Sequence, residues 1–336
     1  MAEEQLLLSS RQPTRAQSRG IFVAAIIFLL AFLASLPFRH TALAEITAFI
    51  PMVDTTLLLG DLLTTTLLIA QVTVLRSRAF IALAGGYLFT GLIIIPHALT
   101  FPGAFSPAGL LGAGVSTTIW LYFFWHLGLP IAVIAYALLT RVDQQSPLTS
   151  EQLRNALVIC VCSCVVVAAA LTLLATRFHS LLPTLMTDGI HWLPERVIYL
   201  AAITFGLIAV ALILVFRRPR SILDLWLLLA LWAWLLEIVL VMSTSMRYSG
   251  GWYTGRIAGL LAGVVVLVLL LSETGKLYAR LALAVTRQQR EREGRLLTVN
   301  AVAASIAHET RQPLTSIVAD ASTAQLILRK DPLDRD

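Results

Sequence analysis

Apolar stretches of about 18 or more residues recur along this chain, roughly at 21–38, 55–75, 79–98, 117–140, 155–176, 197–216, 221–243 and 257–275. A stretch of that length crosses the roughly 30 Å hydrocarbon core as a helix. Lipid offers no partner for backbone N–H and C=O groups, so spanning segments of this kind satisfy themselves as helices. The pattern therefore predicts an all-α membrane protein with about eight spans. Hydrophobic residues make up 58% of the chain and charged ones only 13%, against about 25% charged in a soluble domain. The first stretch follows Arg11, Arg15 and Arg19 and has the outline of a signal peptide. It is long enough to span and others follow it, so it reads as an uncleaved anchor.

The net charge of +6 is spread as small clusters between apolar runs. Such clusters orient a membrane protein rather than bind nucleic acid, so no nucleic-acid partner is expected. With the N-terminus inside, the inner segments hold Arg11, Arg15, Arg19, Arg76, Arg78, Arg141, Arg154, Arg217, Arg218, Arg220, Lys276 and Arg280. The outer ones hold Arg39, Arg177, Arg196, Arg247 and Arg256. Roughly twelve against five predicts that both termini are cytoplasmic. The three cysteines, Cys160, Cys162 and Cys164, fall in one apolar run and form no disulfide framework. At spacings of two, Cys160 and Cys164 share a helix face that Cys162 leaves, which favours packing over metal binding. No metal site is expected.

Past Leu271 the composition changes. No spanning stretch occurs in 276–336, and 286–295 (TRQQREREGR) is almost wholly polar. This divides the chain into a tail (1–19), a polytopic membrane part (20–275), a helical linker (276–295) and a final segment (296–336). In that segment Leu296, Val299, Ala303, Ile306, Thr310, Pro313 and Ile317 recur in a three-four rhythm, the seam of a coiled coil. His308 lies about 200° round the helix from Ile306 and points into water, with Arg311 and Gln312 as its surface neighbours. Pro313 has no N–H, so the carbonyl of Glu309 loses its helical partner and a bend is expected just past the histidine.

The segment SIAHETRQPLTSI (305–317) resembles the H-box of the HisKA family, the dimerisation and phosphoacceptor module of two-component sensor kinases. It carries the family's His, acid, any residue, Arg, polar residue, Pro, Leu in register. The resemblance covers roughly 290–330. It implies a protein-histidine kinase in which His308 accepts the γ-phosphoryl group of ATP, Glu309 acts as general base, and Arg311, Gln312 and Pro313 support them. It also implies a homodimer through the phosphoacceptor helices and transfer to an aspartate of a response regulator. Many members carry Thr or Asn where Gln312 stands, which leaves phosphatase activity open. The family's ATP and Mg are bound by a further domain. Asp331-Pro332 reads as the end of the first helix, and the second helix and the ATP-binding boxes are expected to be missing from this chain.

Residues 79–126 include LAGGYLFTGLIIIPHALTFPGAF and WLYFFWHLGLP. These resemble the fourth class of bacterial membrane-associated sensor (MASE) domains, over roughly residues 20–275. The resemblance implies a multi-pass protein of the bacterial inner membrane, with lipid around it, that senses an unidentified stimulus. Ionisable residues inside a bilayer are costly and default to functional candidates. Here they are Asp54 and Asp61, on one face of the second span, with His97, His126 and Glu237. A buried carboxylate–imidazole cluster that binds a ligand, proton or metal is one reading, and interhelical hydrogen bonding that holds the bundle is the other. Other functions remain in play: a membrane sensor without kinase activity, or a small transporter, which would show paired repeats and broken helices. A retinal protein is excluded because no lysine lies within a span; Lys276 sits at the end of the last one.

Overall fold

The computed structural model describes residues 13–218 and 221–330. Arg11, Arg220 and the Asp331-Pro332 stop lie outside them. Among the described residues there are eight helices long and apolar enough to cross a membrane. They are α1 (Arg15–Ser35), α2 (Phe49–Leu75), α3 (Arg78–Leu99), α4 (Thr117–Gln145), α5 (Ser150–Thr176), α6 (Pro194–Phe216), α7 (Ile222–Met242) and α8 (Gly250–Lys330). In α8 the apolar span is Gly250–Lys276. No strand forms among the described residues; three isolated bridges join loops. The all-α membrane architecture read from the sequence is the one observed.

Several helices begin earlier than the apolar runs suggested, α2 and α8 among them. α2 starts at Phe49 and α8 at Gly250, where Asp54 and Arg256 interrupt the hydropathy but not the backbone. Those residues stay helical because neighbouring helices cover them, at 1% and 7% exposure.

The end of the bundle at which α1 starts has short connections fixed by side-chain caps. Thr14, Thr149 and Ser221 each accept from the third residue beyond, in capping boxes with Gln17, Gln152 and Asp224, satisfying N–H groups that a helix start leaves orphaned. Arg76 closes α2 in the left-handed conformation at φ 51°. Ser77 then caps α3, and the Asp143 carboxylate of α4 accepts from Ser77 Oγ at 2.6 Å, Ala79 N at 2.9 Å and Arg78 N at 3.0 Å. A carboxylate on a helix N-terminus is favoured by both its N–H groups and the helix dipole.

The chain divides into two compact units, Met1–Glu273 and Thr274–Asp336. In the first, α3 is the inner helix, with 72% of its apolar window buried, and it packs against α2, α4 and α5. α7 is 67% buried, whereas α1 and α5 are only 6% buried and present their apolar sides outward, as lipid allows. Small residues bring helices together at backbone distance. A Cβ on Gly86 would collide with Ala132 of α4, and one on Gly85 would stand 2.6 Å from Cys160 Sγ. Gly255, Gly259 and Gly263 form a stripe on α8, where a side chain would run into Val241 and Glu237 of α7 and Leu57 of α2. In the second unit the helix runs through Pro313 to Lys330, and the side chains of residues 282–329 are exposed.

Candidate functional site

The far end of the bundle, opposite the start of α1, is closed by loops that bond to one another. Leu43 N donates to Tyr248 O at 2.8 Å, Gly250 N to Thr41 O at 2.9 Å, Trp192 N to Ser245 O at 3.1 Å, and Arg247 N to Ile190 O at 2.9 Å. The Tyr253 hydroxyl donates to Ala44 O at 2.7 Å and accepts from Ile46 N at 3.1 Å. Asp188 folds the loop before Trp192 by accepting from His191 N at 2.6 Å and Ile190 N at 2.7 Å. The His191 N–H, then the His191 ring and the Ile190 N–H, hold its carboxyl down at about 2.

Beneath this roof lie most of the ionisable residues that the sequence singled out. His97, in the last turn of α3, meets Asp54 of α2 with Nδ1 2.6 Å from Oδ2, and both are buried. One turn from the start of α4, Tyr122 stacks on His126, and His126 Nε2 lies 3.4 Å from Glu237 Oε1 of α7. Arg256 of α8 approaches the same carboxylate oxygen at 3.8 Å and lies over the Tyr122 ring, 4.1 Å from its centroid. The separations suit charge attraction, but neither contact has hydrogen-bond geometry, and both Glu237 oxygens are left without a donor. Trp125 stands between the two groups, its ring 5.9 Å from His97 and 4.5 Å from His126.

Asp61 does not join them. It is buried lower in α2 and accepts from Thr90 Oγ1 of α3 at 2.7 Å. The single carboxylate–imidazole cluster read from the sequence is therefore three arrangements: Asp54–His97, His126–Glu237–Arg256 and Asp61–Thr90. One turn of helix advances about 5.4 Å, so two aspartates seven residues apart reach partners at different depths. Among the described residues no group of three or more His, Cys, Asp or Glu stands close enough to hold a metal ion. Cys160 and Cys164 face the α3 carbonyls of Ile81 and Gly85, at 3.7 and 3.3 Å, while Cys162 is exposed.

Arg247 and Arg256 entered the sequence argument only as charges outside the membrane. Both are buried, at 5% and 7% exposure. Arg247 donates to Gly189 O at 2.8 Å, lies 3.4 Å from Met186 Sδ and covers the Phe101 ring at 4.9 Å. Burial draws its guanidinium down to about 10; Arg256 pushes the same way, and Tyr248 and Asp188 oppose it. Tyr248, turned into the left-handed region at φ 60°, is itself pushed up to about 12, chiefly by burial and then by Glu45. A small cavity of about 20 Å³ lies among His97, Tyr122, Trp192, Arg247, Trp252 and Arg256, room for about one water-sized occupant. The sequence signal for it was an arginine close to the start of an apolar run with aromatic neighbours, as in GWYTGRIAG (251–259 within 250–260).

In the second unit, His308 is exposed and its Nε2 lies 3.4 Å from Gln312 Nε2. Glu309 accepts from Ser305 Oγ at 3.5 Å. His308, Arg311, Gln312 and Thr315 border one shallow surface groove, as their helical spacing requires.

The sequence model of MASE4, described as a membrane-associated sensor, integral membrane domain, matches residues 44–278. The match begins after α1, later than the start near residue 20 drawn from the sequence. No curated protein and no solved structure matches the chain. A multi-pass helical bundle with polar groups buried beneath a loop roof fits that description, and the chain belongs to the MASE4 family of membrane-associated sensors.

Proposed function

We propose that this chain is the input half of a sensor histidine kinase, with the MASE4 bundle receiving a stimulus and His308 carrying the phosphoryl group. The observation that carries the reading is the run His308, Glu309, Arg311, Gln312, Pro313 and Leu314 on an exposed helix that follows a membrane sensor domain. An imidazole near neutral pH is uncharged, nucleophilic and able to form a phosphoramidate. Its solvent exposure lets an ATP-loaded domain approach. Glu309 would take up the proton on the other ring nitrogen, and Arg311 would offset charge on the phosphoryl oxygens. Phosphoryl transfer depends chiefly on positioning and charge neutralisation, so Mg and ATP belong to the domain that docks on this helix. The exposed apolar seam of Leu296, Val299, Ile306 and Ile317, each 59–63% exposed, favours a homodimer through these helices. A response regulator aspartate would receive the group.

In this reading the protein sits in a bacterial inner membrane with both termini cytoplasmic, as the arginine distribution favours, and the roofed end faces outward.

The test supplies the ATP-binding domain of a HisKA-type kinase in trans, with γ-labelled ATP and Mg, to the full chain in membranes. An acid-labile, base-stable label is expected on the wild type and is expected to fall at least about a hundredfold in His308→Gln, consistent with loss of the nucleophile. Label persisting in His308→Gln, or absent from the wild type, would discard the reading.

A further inference from the structure

α3 packs against both α4 and α5, while α4 and α5 touch each other less extensively. A groove of about 540 Å³ is left between them, lined by Gly85 and Gly86 of α3, Phe124 and Ile131 of α4, and Val167 and Leu171 of α5. Its floor is closed, since a Cβ on Gly85 or Gly86 would strike Cys160 or Ala132. Ile131 and Val167 are exposed, so the groove opens sideways, toward lipid. On α4 its lining runs from 124 to 135 within the span Thr117–Asp143, and on α5 from 160 to 171 within Ser150–Thr176. Both stretches stop five or more residues short of the span ends, roughly 7 Å of helix or more. The groove therefore lies at the depth of the hydrocarbon core and not of the headgroups.

Depth and chemistry limit what can fill it. No charged residue lines the groove, and an unpaired charge at this depth is costly, so an ion or a charged headgroup is excluded. The Cys160 and Cys164 thiols are turned to the Ile81 and Gly85 carbonyls, at 3.7 and 3.3 Å. The Ser163 hydroxyl on the same edge has no hydrogen-bond partner among the described residues, and lipid supplies no water to meet it. Size narrows the choice further. A helix of a second copy, about 10 Å across, would take on the order of 1,400 Å³ over the roughly 18 Å of α4 that lines the groove, well over twice the space present. At roughly 30 Å³ per heavy atom, the share of a water molecule in the liquid, the groove takes about eighteen atoms. That is the size of one hydrocarbon chain.

We propose that this groove binds a neutral long-chain lipophile dissolved in the bilayer, of the chemical class of a fatty alcohol. A phospholipid chain hangs from its headgroup and reaches this depth only with its far end. An unanchored chain fills the groove along its length and brings one oxygen to Ser163. Within lipid the hydrophobic effect gives no preference between groove and bilayer, so selectivity comes from packing against the walls and from the Ser163 hydrogen bond. The occupant would touch α3, α4 and α5 at once and set the separation of α5 from α4. It would be the stimulus of the sensor proposed above. The inference rests on that sensor role and not on His308, and its readout involves no phosphoryl transfer, so either idea can fail without the other.

The full chain in phosphatidylcholine nanodiscs is photolysed with 1-tetradecanol carrying a mid-chain diazirine, and the labelled residues are mapped by peptide mass spectrometry. A parallel sample carries the diazirine on a phospholipid acyl chain. The alcohol is expected to label 82–89, 124–135 and 160–171 saturably, and unlabelled 1-tetradecanol to compete it away; the phospholipid is expected to show no enrichment there. Ala135→Phe, which fills the groove, is expected to cut that labelling on the order of tenfold. If that variant does not fold, Ala82→Leu on the facing helix carries the test. Ser163→Ala is expected to erase a several-fold advantage of tetradecanol over tetradecane as competitor, the range for one neutral hydrogen bond. Labelling that does not saturate, enrichment equal to that of the phospholipid probe (annular lipid only), a groove left unlabelled because a second copy covers it, or undiminished label in a folded Ala135→Phe or Ala82→Leu variant would overturn the proposal.

Discussion

At the level of single residues, burial separates groups that hold the bundle from groups left unmet. Asp54 and His97 are bonded at 2.6 Å and nearly inaccessible, so each answers the other's cost of leaving water. A double-mutant cycle with Asp54→Ala and His97→Ala is expected to give a coupling of about 1–2 kcal/mol in the unfolding free energy, near the upper end of polar pairs between membrane helices. Strictly additive losses would mean that the contact contributes no stability of its own. Asp54, Asp61, His97, His126 and Glu237 were legible in the sequence because a charged or titratable group within an apolar run stands out. Arg247, Arg256 and Trp192 were not. An arginine near a loop reads as an orientation signal, and only the folding of that loop over the bundle shows that it points inward. Pairing was equally hidden, since partners come from different helices whose relative depth no single segment reveals.

At the level of helices, the sequence marked all eight spans, with the ends within about seven residues, because length and hydropathy decide spanning in lipid. α2 began well outside its apolar run for the reason given above, that tertiary cover permits polar residues inside a helix. The glycine stripe of α8 shows what packing adds. A helical Gly→Ala change ordinarily gains about 1 kcal/mol from propensity, and Gly206 of α6, with open space where its Cβ would be, is expected to show a rise in unfolding temperature as Gly206→Ala. Gly259→Ala places its methyl against the Glu237 carboxylate and is expected to lower stability by about 1–3 kcal/mol, the usual cost of overpacking. Thermal unfolding of the two variants side by side checks the sign; a rise in both would mean that α7 yields without cost.

At the level of the whole molecule, the membrane bundle and the helix of the second unit follow different physical rules. The bundle buries its polar groups and shows apolar sides to lipid, while the helix of the second unit has every described side chain from 282 to 329 exposed. A lone helix with an apolar seam gains most of its stability by pairing. Val299→Glu with Ile306→Glu is therefore expected to weaken dimerisation of the full chain at least tenfold, checked by its mass in detergent across a dilution series. An unchanged dissociation constant would assign dimerisation to the membrane bundle instead. The seam was legible because its period is local to one segment. The roof was not, because its bonds join loops as far apart as Leu43 and Tyr248, and their sequences carry no shared period.

The stripe of Gly255, Gly259 and Gly263 has a mechanical consequence. Where Gly255 and Gly259 of α8 meet Val241 and Glu237 of α7, backbone lies against side chain. A contact of that kind acts as a bearing surface and not as a gear: axial position is set there by few features, among them the Arg256–Glu237 attraction at 3.8 Å. Sliding or turning of α8 would meet little resistance at these glycines and most of it where Trp252, Val266, Leu269 and Leu270 enter the core.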